Sequence, residues 1–344
     1  MSTQQDTTST YTLPAVGFGT YTLRGESGAE AVRSAIENGY RLIDSAFSYE
    51  NEASVALGVA RAVDAGLAAR AELTITSKVP GRHFGYDEAL AAVEESAARM
   101  APIGPIDLYL IHWPNPRLDK YVDTWRALIE ARERGLVRAI GVSNFLPEHL
   151  DRLERETGVL PVVNQIESHP RFPNTEQVAA DADRGILTEA WSPIGRSSDL
   201  LQDPVIAGIA EAHGISPAQA VLAWHVSRGV TPIPKSSTPA RQVENLASAE
   251  ILLDAAEIEW ELVPGIPVAG HAAPTAPTTV DSPVTAQTTP PSGGPSGGRW
   301  SSPPGGTPTR SRCATSTGCR ICCSSSAASR TRTATSSGSR AKAG

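Results

Sequence analysis

The 344-residue chain has little cysteine, few aromatic side chains and no long apolar run. All four cysteines lie after position 300, so the preceding residues contain neither a disulfide framework nor a cysteine metal site. No stretch approaches the roughly 20 apolar residues of a membrane span, and the N-terminus lacks the basic and apolar regions of a secretory signal. We therefore expect a cytoplasmic protein with no membrane partner and no metal.

Positive charge is scarce in most of the chain. Up to Trp260, 22 Lys and Arg stand against 35 Asp and Glu, a net charge of −13. Residues 261–344 hold eight basic and two acidic residues, a net charge of +6. Binding to nucleic acid needs Lys and Arg clustered on one face, and the acidic part shows no such stripe. We expect no nucleic-acid partner.

The composition changes abruptly near Trp260. Of the 84 residues from 261 to 344, 60 are Ala, Gly, Pro, Ser or Thr. Such a segment cannot bury enough apolar surface to offset its ordering entropy, which predicts a low-complexity, disordered tail. An alternative origin is a frameshift in a GC-rich gene, which an acidic, amphipathic continuation in another reading frame would support. Residues 1–10 are predicted to be a flexible N-terminus.

Between these ends, apolar runs of strand length alternate with stretches of helical periodicity. The intervening stretches, such as 87–100 and 121–135, carry apolar residues three or four positions apart, and several end on glycine. Strands that alternate with helices in this way predict a parallel sheet covered by helices. Eight such units predict a single-domain (β/α)8 TIM barrel, an α/β fold, over residues 11–260. The runs cover residues 16–20, 41–46, 73–79, 107–113, 137–144, 162–168, 186–193 and 230–236.

Several common catalytic signatures are missing. The chain has no His-Glu-x-x-His and no Gly-x-x-x-x-Gly-Lys-Ser, which argues against zincin and P-loop chemistry. Residues 17–22 supply only two of the three glycines of a Rossmann turn, and residues 141–145 lack the last glycine of a nucleophile elbow. The sequence therefore favours neither metal nor serine chemistry.

Four polar residues follow buried runs in the first third of the chain. Asp44, Lys78 and His112 lie at the ends of their runs, and Tyr49 lies just beyond one. Because the ends of parallel strands surround one pocket, we expect the four side chains to converge. A cation lowers the pKa of a nearby tyrosine, so Lys78, paired with Asp44, would tune Tyr49 as a proton donor. His112 would donate a hydrogen bond to a substrate oxygen.

Each of these residues also has an ordinary structural interpretation. A lone Lys or Asp at a strand end is usually a solvated charge, and a Tyr or His beside aromatic residues usually contributes packing. Only the joint placement favours a site that polarises and protonates a carbonyl. Protonation alone does not reduce a carbonyl, so this hypothesis also requires a bound hydride donor.

The motifs around these residues resemble the aldo-keto reductases. The resemblance runs in unbroken order over about residues 11–258 and is strongest to bacterial members related to 2,5-diketogluconate reductases, partly because of Trp191. The matching stretches are residues 39–52, 75–78, 107–114, 141–145, 164–167 and 234–245.

The resemblance implies a barrel that binds NADPH without a Rossmann domain. It implies that Tyr49 is the general acid, that Lys78 and Asp44 tune it, and that His112 and Trp113 contact a small-molecule carbonyl substrate. It assigns the nicotinamide, the pyrophosphate and the adenosine end of the cofactor to Gly19, Thr20, Ser143, Asn144, Gln165, Trp191, Ser192, Pro193, Ile194, Gly195, Lys235, Ser236, Arg241, Glu244 and Asn245.

Two basic residues favour NADPH over NADH. Lys235 offers a point charge to a ribose 2′-phosphate, and Arg241 offers a planar fork that also lies against an adenine. The alternative interpretation is that Arg241 only decorates the surface of the last helix.

The chain departs from the family where relatives usually continue into a loop over the barrel mouth that helps to choose the substrate. The anomalous tail stands there instead. We expect a monomeric enzyme that reduces small aldehydes, ketones or keto-sugars. The alternatives are a nucleotide-binding regulatory subunit on the same barrel, as potassium-channel beta subunits of the family illustrate, and a damaged, inactive product.

Overall fold

The computed structural model describes residues 11–196 and 199–259. Its sheet has eight strands in chain order, each parallel to the next. The sheet closes on itself, because the Gly17 N–H donates to the Pro232 carbonyl at 2.9 Å and the Gly19 N–H donates to the Pro234 carbonyl at 3.0 Å. The predicted (β/α)8 barrel is confirmed. The strands are β1 Phe18–Gly19, β2 Leu42–Asp44, β3 Thr74–Val79, β4 Ile106–Ile111, β5 Val137–Ser143, β6 Val163–Glu167, β7 Leu187–Trp191 and β8 Thr231–Pro232.

The helices surround this barrel, and the periodic stretches at 28–39, 87–100, 121–135 and 147–158 all fall on helices. Gly158 caps the end of the fifth helix, and its φ of 70° is the left-handed conformation that glycine adopts without steric cost. The described helices are α1 Gly25–Glu37, α2 Glu52–Asp64, α3 Tyr86–Arg99, α4 Tyr121–Glu133, α5 Pro147–Thr157, α6 Thr175–Asp183, α7 Pro204–His213, α8 Pro217–Ser227, α9 Pro239–Ala247 and α10 Ala255–Ile258.

The last strand is much shorter than its apolar run. The pattern predicts extended structure over residues 230–236, whereas β8 covers only Thr231–Pro232. Pro232 and Pro234 have no N–H, so this segment cannot complete a regular ladder as a donor. Their carbonyls still accept the two hydrogen bonds, from Gly17 just before β1 and from Gly19 within it, that close the barrel.

The barrel interior is divided into an apolar layer and a polar layer. Leu108, Leu110 and Val163 form a buried apolar cluster, against which Tyr11 and Leu13 pack. Farther along the strands, toward their carboxyl ends, buried polar side chains replace these apolar ones. The larger apolar core includes Tyr109, which donates to or accepts from Ser96 of α3 and so faces the helices. The polar layer is therefore the place to look for chemistry.

Two predicted segments lie outside the described residues. They are the flexible N-terminus at 1–10 and the tail at 261–344, together with the question of its frameshift origin. Among the helices that the structure describes, none combines the length and the apolar character needed to cross a membrane.

Candidate active site

An ion pair in the barrel interior joins the ends of β2 and β3. The Lys78 Nζ donates to Asp44 Oδ1 at 2.6 Å and to the Ser45 carbonyl at 2.9 Å. Lys78 has no exposed surface. Burial favours the neutral amine, but Asp44 and Tyr49 outweigh it, and the pKa of Lys78 ends above its ordinary value. The lysine therefore keeps its positive charge inside the barrel.

Tyr49 lies in the short 3-10 turn Phe47–Tyr49 that follows β2. Lys78 Nζ is 5.4 Å from the centroid of its ring, and the Arg24 Nε donates to its backbone carbonyl at 2.8 Å. Burial raises the pKa of Tyr49 above its ordinary value of 10, while Lys78 opposes that rise. Lys78 thus acts on the pKa of Tyr49 in the predicted direction, but desolvation has the larger effect. Tyr49 carries its proton at neutral pH.

His112 follows β4 and faces the tyrosine. The two ring centroids are 6.0 Å apart, and the Ser48 hydroxyl oxygen lies 3.5 Å from His112 Nδ1. Burial, with a smaller contribution from Lys78, lowers the pKa of His112 to about 3. A neutral imidazole has one N–H to donate, and that N–H is at Nε2 in the tautomer whose Nδ1 accepts from Ser48. The structure therefore brings together all four residues that the strand ends single out.

Asn51 holds the loop that carries Tyr49. Its Nδ2 donates to the carbonyls of Thr20 and Leu23, each at 2.9 Å, and its Oδ1 accepts from the Ser45 hydroxyl at 2.7 Å. The Thr20 hydroxyl donates to the Asp44 carbonyl at 2.8 Å, so this side chain serves the loop. These bonds tie the loops after β1 and β2 together.

A second polar network links β5, β6 and β7. The Ser143 hydroxyl donates to the Gln165 carbonyl at 2.7 Å, and the Asn144 Nδ2 donates to the His112 carbonyl at 3.0 Å. The Trp191 Nε1 donates to Asn144 Oδ1 at 2.8 Å, which orients its partly exposed indole. Trp113 makes an edge contact with the same indole, with centroids 6.3 Å apart. These groups adjoin the catalytic candidates rather than forming a separate site.

The loop after β7 is a tight turn. The Gly195 N–H donates to the Ser192 carbonyl at 2.9 Å, and both residues have positive φ. Pro193 presents its carbonyl to the buried His225, whose Nε2 lies 3.1 Å away. Ile194 packs against the small apolar cluster around Leu200 and Ile206.

The predicted adenosine end lies at the start of α9. Lys235 and Arg241 are exposed, and neither pairs with a carboxylate of the described residues. Lys235 forms a parallel bridge with Gly19, and Ser236 accepts from the Thr238 N–H at 3.1 Å. The other two predicted residues are engaged within the protein: Glu244 accepts a hydrogen bond from the Ser216 hydroxyl, and Asn245 is buried.

Comparison of the chain with known proteins identifies its family. Residues 15–260 match the model of the aldo/keto reductase family. The chain belongs to the aldo/keto reductase family. It is 50% identical over 229 residues to 2,5-diketo-D-gluconic acid reductase B of Corynebacterium, covering 67% of this chain and 81% of that protein. It is 40% identical over 247 residues to methylglyoxal reductase DkgA of Salmonella typhimurium, covering 72% and 87%.

Solved aldo/keto reductases share the fold. The crystal structure of the Bombyx mori aldo-keto reductase in complex with NADP is 34% identical, with a TM-score of 0.66, and the match covers 72% of this chain and 88% of that one. The resemblance inferred from the motifs is confirmed, including its similarity to a bacterial 2,5-diketogluconate reductase.

Two buried residues of the aldo/keto reductase site escaped the sequence reasoning. His225 supports the loop after β7, and Glu189 in β7 accepts a hydrogen bond from Gln165 at 2.7 Å. The available signal for Glu189 was a single acidic residue inside the apolar run at 186–193. An isolated charge at an inward position of a strand needs a partner, which points to a buried polar contact at Glu189.

Proposed function

We propose that the protein is an NADPH-dependent oxidoreductase that reduces the carbonyl of small aldehydes, ketones or keto-sugars, with Tyr49 as the proton donor. The observation that carries this proposal is the placement of a protonated Tyr49 between a buried, charged Lys78 and a neutral His112. Membership of a family whose relatives are named as reductases supports the reaction class.

The residues of the described site suit a nicotinamide dinucleotide phosphate. Ser143, Asn144, Gln165 and Trp191 would hold the nicotinamide, with the partly exposed indole face against the ring. Lys235 and Arg241 would hold the 2′-phosphate, since both cations stand exposed at the start of a helix, where anions bind well. The remaining predicted contacts, at Gly19, Thr20, Ser192, Pro193, Ile194, Gly195, Ser236, Glu244 and Asn245, belong to the same proposal. When bound, the reduced nicotinamide supplies a hydride to the carbonyl carbon.

Proton transfer would follow from the three polar groups. The neutral His112 donates its N–H to the carbonyl oxygen and holds it near Tyr49. The Tyr49 O–H bond breaks, the proton moves to that oxygen, and the phenolate that remains is stabilised by Lys78. Asp44 balances the charge of Lys78 throughout, which allows a lysine to remain protonated without exposure to water.

The substrate would be a small carbonyl compound. Trp113 and Trp191 form an aromatic wall beside His112. The names of the relatives suggest dicarbonyl compounds, since one reduces a diketo sugar acid and another methylglyoxal. A panel of methylglyoxal, simple aldehydes, ketones and keto-sugars is therefore the appropriate assay.

Replacement of Tyr49 tests the proposal. We expect Tyr49→Phe to lower kcat for NADPH oxidation with the panel by roughly 10²–10⁴-fold, the usual contribution of a general acid, while the Kd for NADP⁺ changes little. Steady-state spectrophotometry at 340 nm and calorimetric titration measure the two quantities.

Tyr109→Phe is the matched control. Tyr109 is fully buried, whereas Tyr49 is partly exposed, and Tyr109 shares a hydrogen bond with Ser96 of α3 outside the barrel, so loss of its hydroxyl should affect stability and leave turnover intact. Tight NADP⁺ binding without any turnover in the native protein would instead support a nucleotide-binding regulatory subunit. Equal activity of the native and Tyr49→Phe proteins would remove Tyr49 from the mechanism.

A further inference from the structure

Glu189 is a fully buried carboxyl group to which the proposed reaction gives no role. It lies in β7, directly beside Gln165 of β6 in the strand register, and has no exposed surface. Its Oε2 accepts from Gln165, whereas its Oε1 has no hydrogen-bond partner among the described residues. Burial of a carboxyl group with an unpaired oxygen lowers the stability of the fold, which suggests that Glu189 has a functional role.

Both amide hydrogens of Gln165 are used inside the barrel. The Gln165 Nε2 donates to Asp44 Oδ1 at 2.9 Å and to Glu189 Oε2 at 2.7 Å. A primary amide nitrogen carries two hydrogens, so none remains for a ligand. Asp44 is itself held by Lys78, and a rotation of the amide by 180° would set its oxygen against two carboxyl groups. The only group that Gln165 can offer a ligand is its carbonyl oxygen, Oε1.

We propose that Glu189 is a positioning residue that takes up the second amide hydrogen of Gln165 and thereby makes the site selective for a ring carboxamide over a ring carboxylate. A carboxamide brings an N–H, which Oε1 accepts. A carboxylate brings only acceptors, which face Oε1 without a hydrogen between them. This inference rests on the proposed function, because it assumes that the nicotinamide ring reaches Gln165.

Two substitutions separate the hydrogen bond from the charge. Glu189→Leu removes the acceptor and frees one N–H of Gln165, which can then donate to a ligand carboxylate. Glu189→Gln removes the charge but keeps an acceptor oxygen at the same reach. Glu189→Met, unbranched like glutamate, provides a second apolar variant if leucine impairs folding. Apolar replacements of buried charged groups are commonly tolerated.

The probes are NADP⁺ and its deamidated analogue, nicotinic acid adenine dinucleotide phosphate, titrated by calorimetry at pH 6 and pH 8. We expect the native protein to bind the amide form at least about 100-fold more tightly, in line with rejection of a ligand that leaves a polar group unpaired. Glu189→Gln should keep this ratio within about threefold, and Glu189→Leu should lower it by roughly tenfold, the value of one hydrogen bond to a charged group.

The outcomes distinguish this inference from the proposed function. If the native protein binds neither dinucleotide, both are wrong. If NADP⁺ binds to every variant with an unchanged ratio, the proposed function stands and the role of Glu189 is wrong. Equal loss of selectivity in Glu189→Leu and Glu189→Gln would mean that the charge acts rather than the acceptor, which would also overturn the positioning role.

Discussion

At the scale of single residues, the interior of the barrel holds more acid than base. Asp44 pairs with Lys78, which also attracts the more distant Glu189. Burial and the charge of Glu189 together raise the pKa of the Tyr11 phenol. Burial, with Asp44 second, raises the pKa of Glu189 from its ordinary value of 4.5 to about 7. The arrangement therefore keeps Glu189 protonated in weak acid and ionises it only at an energetic cost above neutrality.

The pH dependence of stability should report this cost. A carboxyl group whose folded-state pKa is raised stabilises the fold fully below its unfolded pKa, and this contribution is lost as the pH rises through about 7. We expect Glu189→Gln, which cannot ionise, to gain up to about 3 kcal/mol over the native protein between pH 4.5 and pH 8. Urea unfolding at several pH values measures the difference. A stability difference that is constant from pH 5 to pH 8 would contradict the raised pKa.

The sequence shows why some residues were predictable and others were not. Tyr49, Lys78 and His112 stand at or just beyond the ends of apolar runs, so a general rule about barrels is enough to bring them together. Glu189 lies inside a run, and its meaning comes from Gln165, its neighbour in a register that joins two separate strands. Register is set by packing of the whole barrel, which no local pattern specifies.

At the scale of elements, two glycines inside helices have different surroundings. Gly58 lies on α2 where this helix crosses α1, and a Cβ there would overlap the Ala29 carbonyl and lie 2.8 Å from Val32 Cβ. A Cβ added at Gly208 on α7 would have no neighbouring atom within 4 Å. Two helical glycines thus have opposite reasons to be present.

A pair of alanine substitutions should separate these reasons. Gly58→Ala forces α1 and α2 apart, and we expect it to lower the free energy of unfolding by about 1–3 kcal/mol. Gly208→Ala meets no neighbour and should raise that free energy by up to about 1 kcal/mol, because alanine favours the helix. Urea denaturation measures both, and a stabilising Gly58→Ala would show that the two helices are not packed as described.

The elements themselves were largely predictable, whereas their ends were not. The eight apolar runs all contain strands, because a buried parallel strand is continuously apolar. The run at 16–20, however, contains only Phe18–Gly19 as strand, and the run at 41–46 contains only Leu42–Asp44. Pairing with a neighbouring strand ends where the loops of the site begin. The sequence stays apolar across that point, so its pattern does not show where the strand ends.

At the scale of the whole molecule, the described residues form a closed barrel with a covering of helices. The last strand ends at Pro232, and the final described contacts attach α10 to the body. The Trp224 Nε1 donates to the Ile258 carbonyl at 3.0 Å, and the His213 Nε2 lies 2.9 Å from Glu257 Oε1. The contacts of α10 therefore add to the stability of the barrel up to about residue 259. We expect the tail after residue 260 to be dispensable, and the expected monomer stays a prediction.

Two shortened chains test the prediction for the tail. A chain that ends at residue 261 keeps the contacts that α10 makes with the described residues, so we expect its Tm to lie within about 2 °C of the full-length value, with the same rise on binding NADPH. A chain that ends at residue 253 loses the Trp224 hydrogen bond and the His213 contact, together worth about 1–2 kcal/mol. Its Tm should fall by about 2–8 °C. Scanning calorimetry compares the three proteins. Should the chain ending at residue 261 melt as low as the shorter one, residues 262–344 would stabilise the fold, and the interpretation of the tail as dispensable would be wrong.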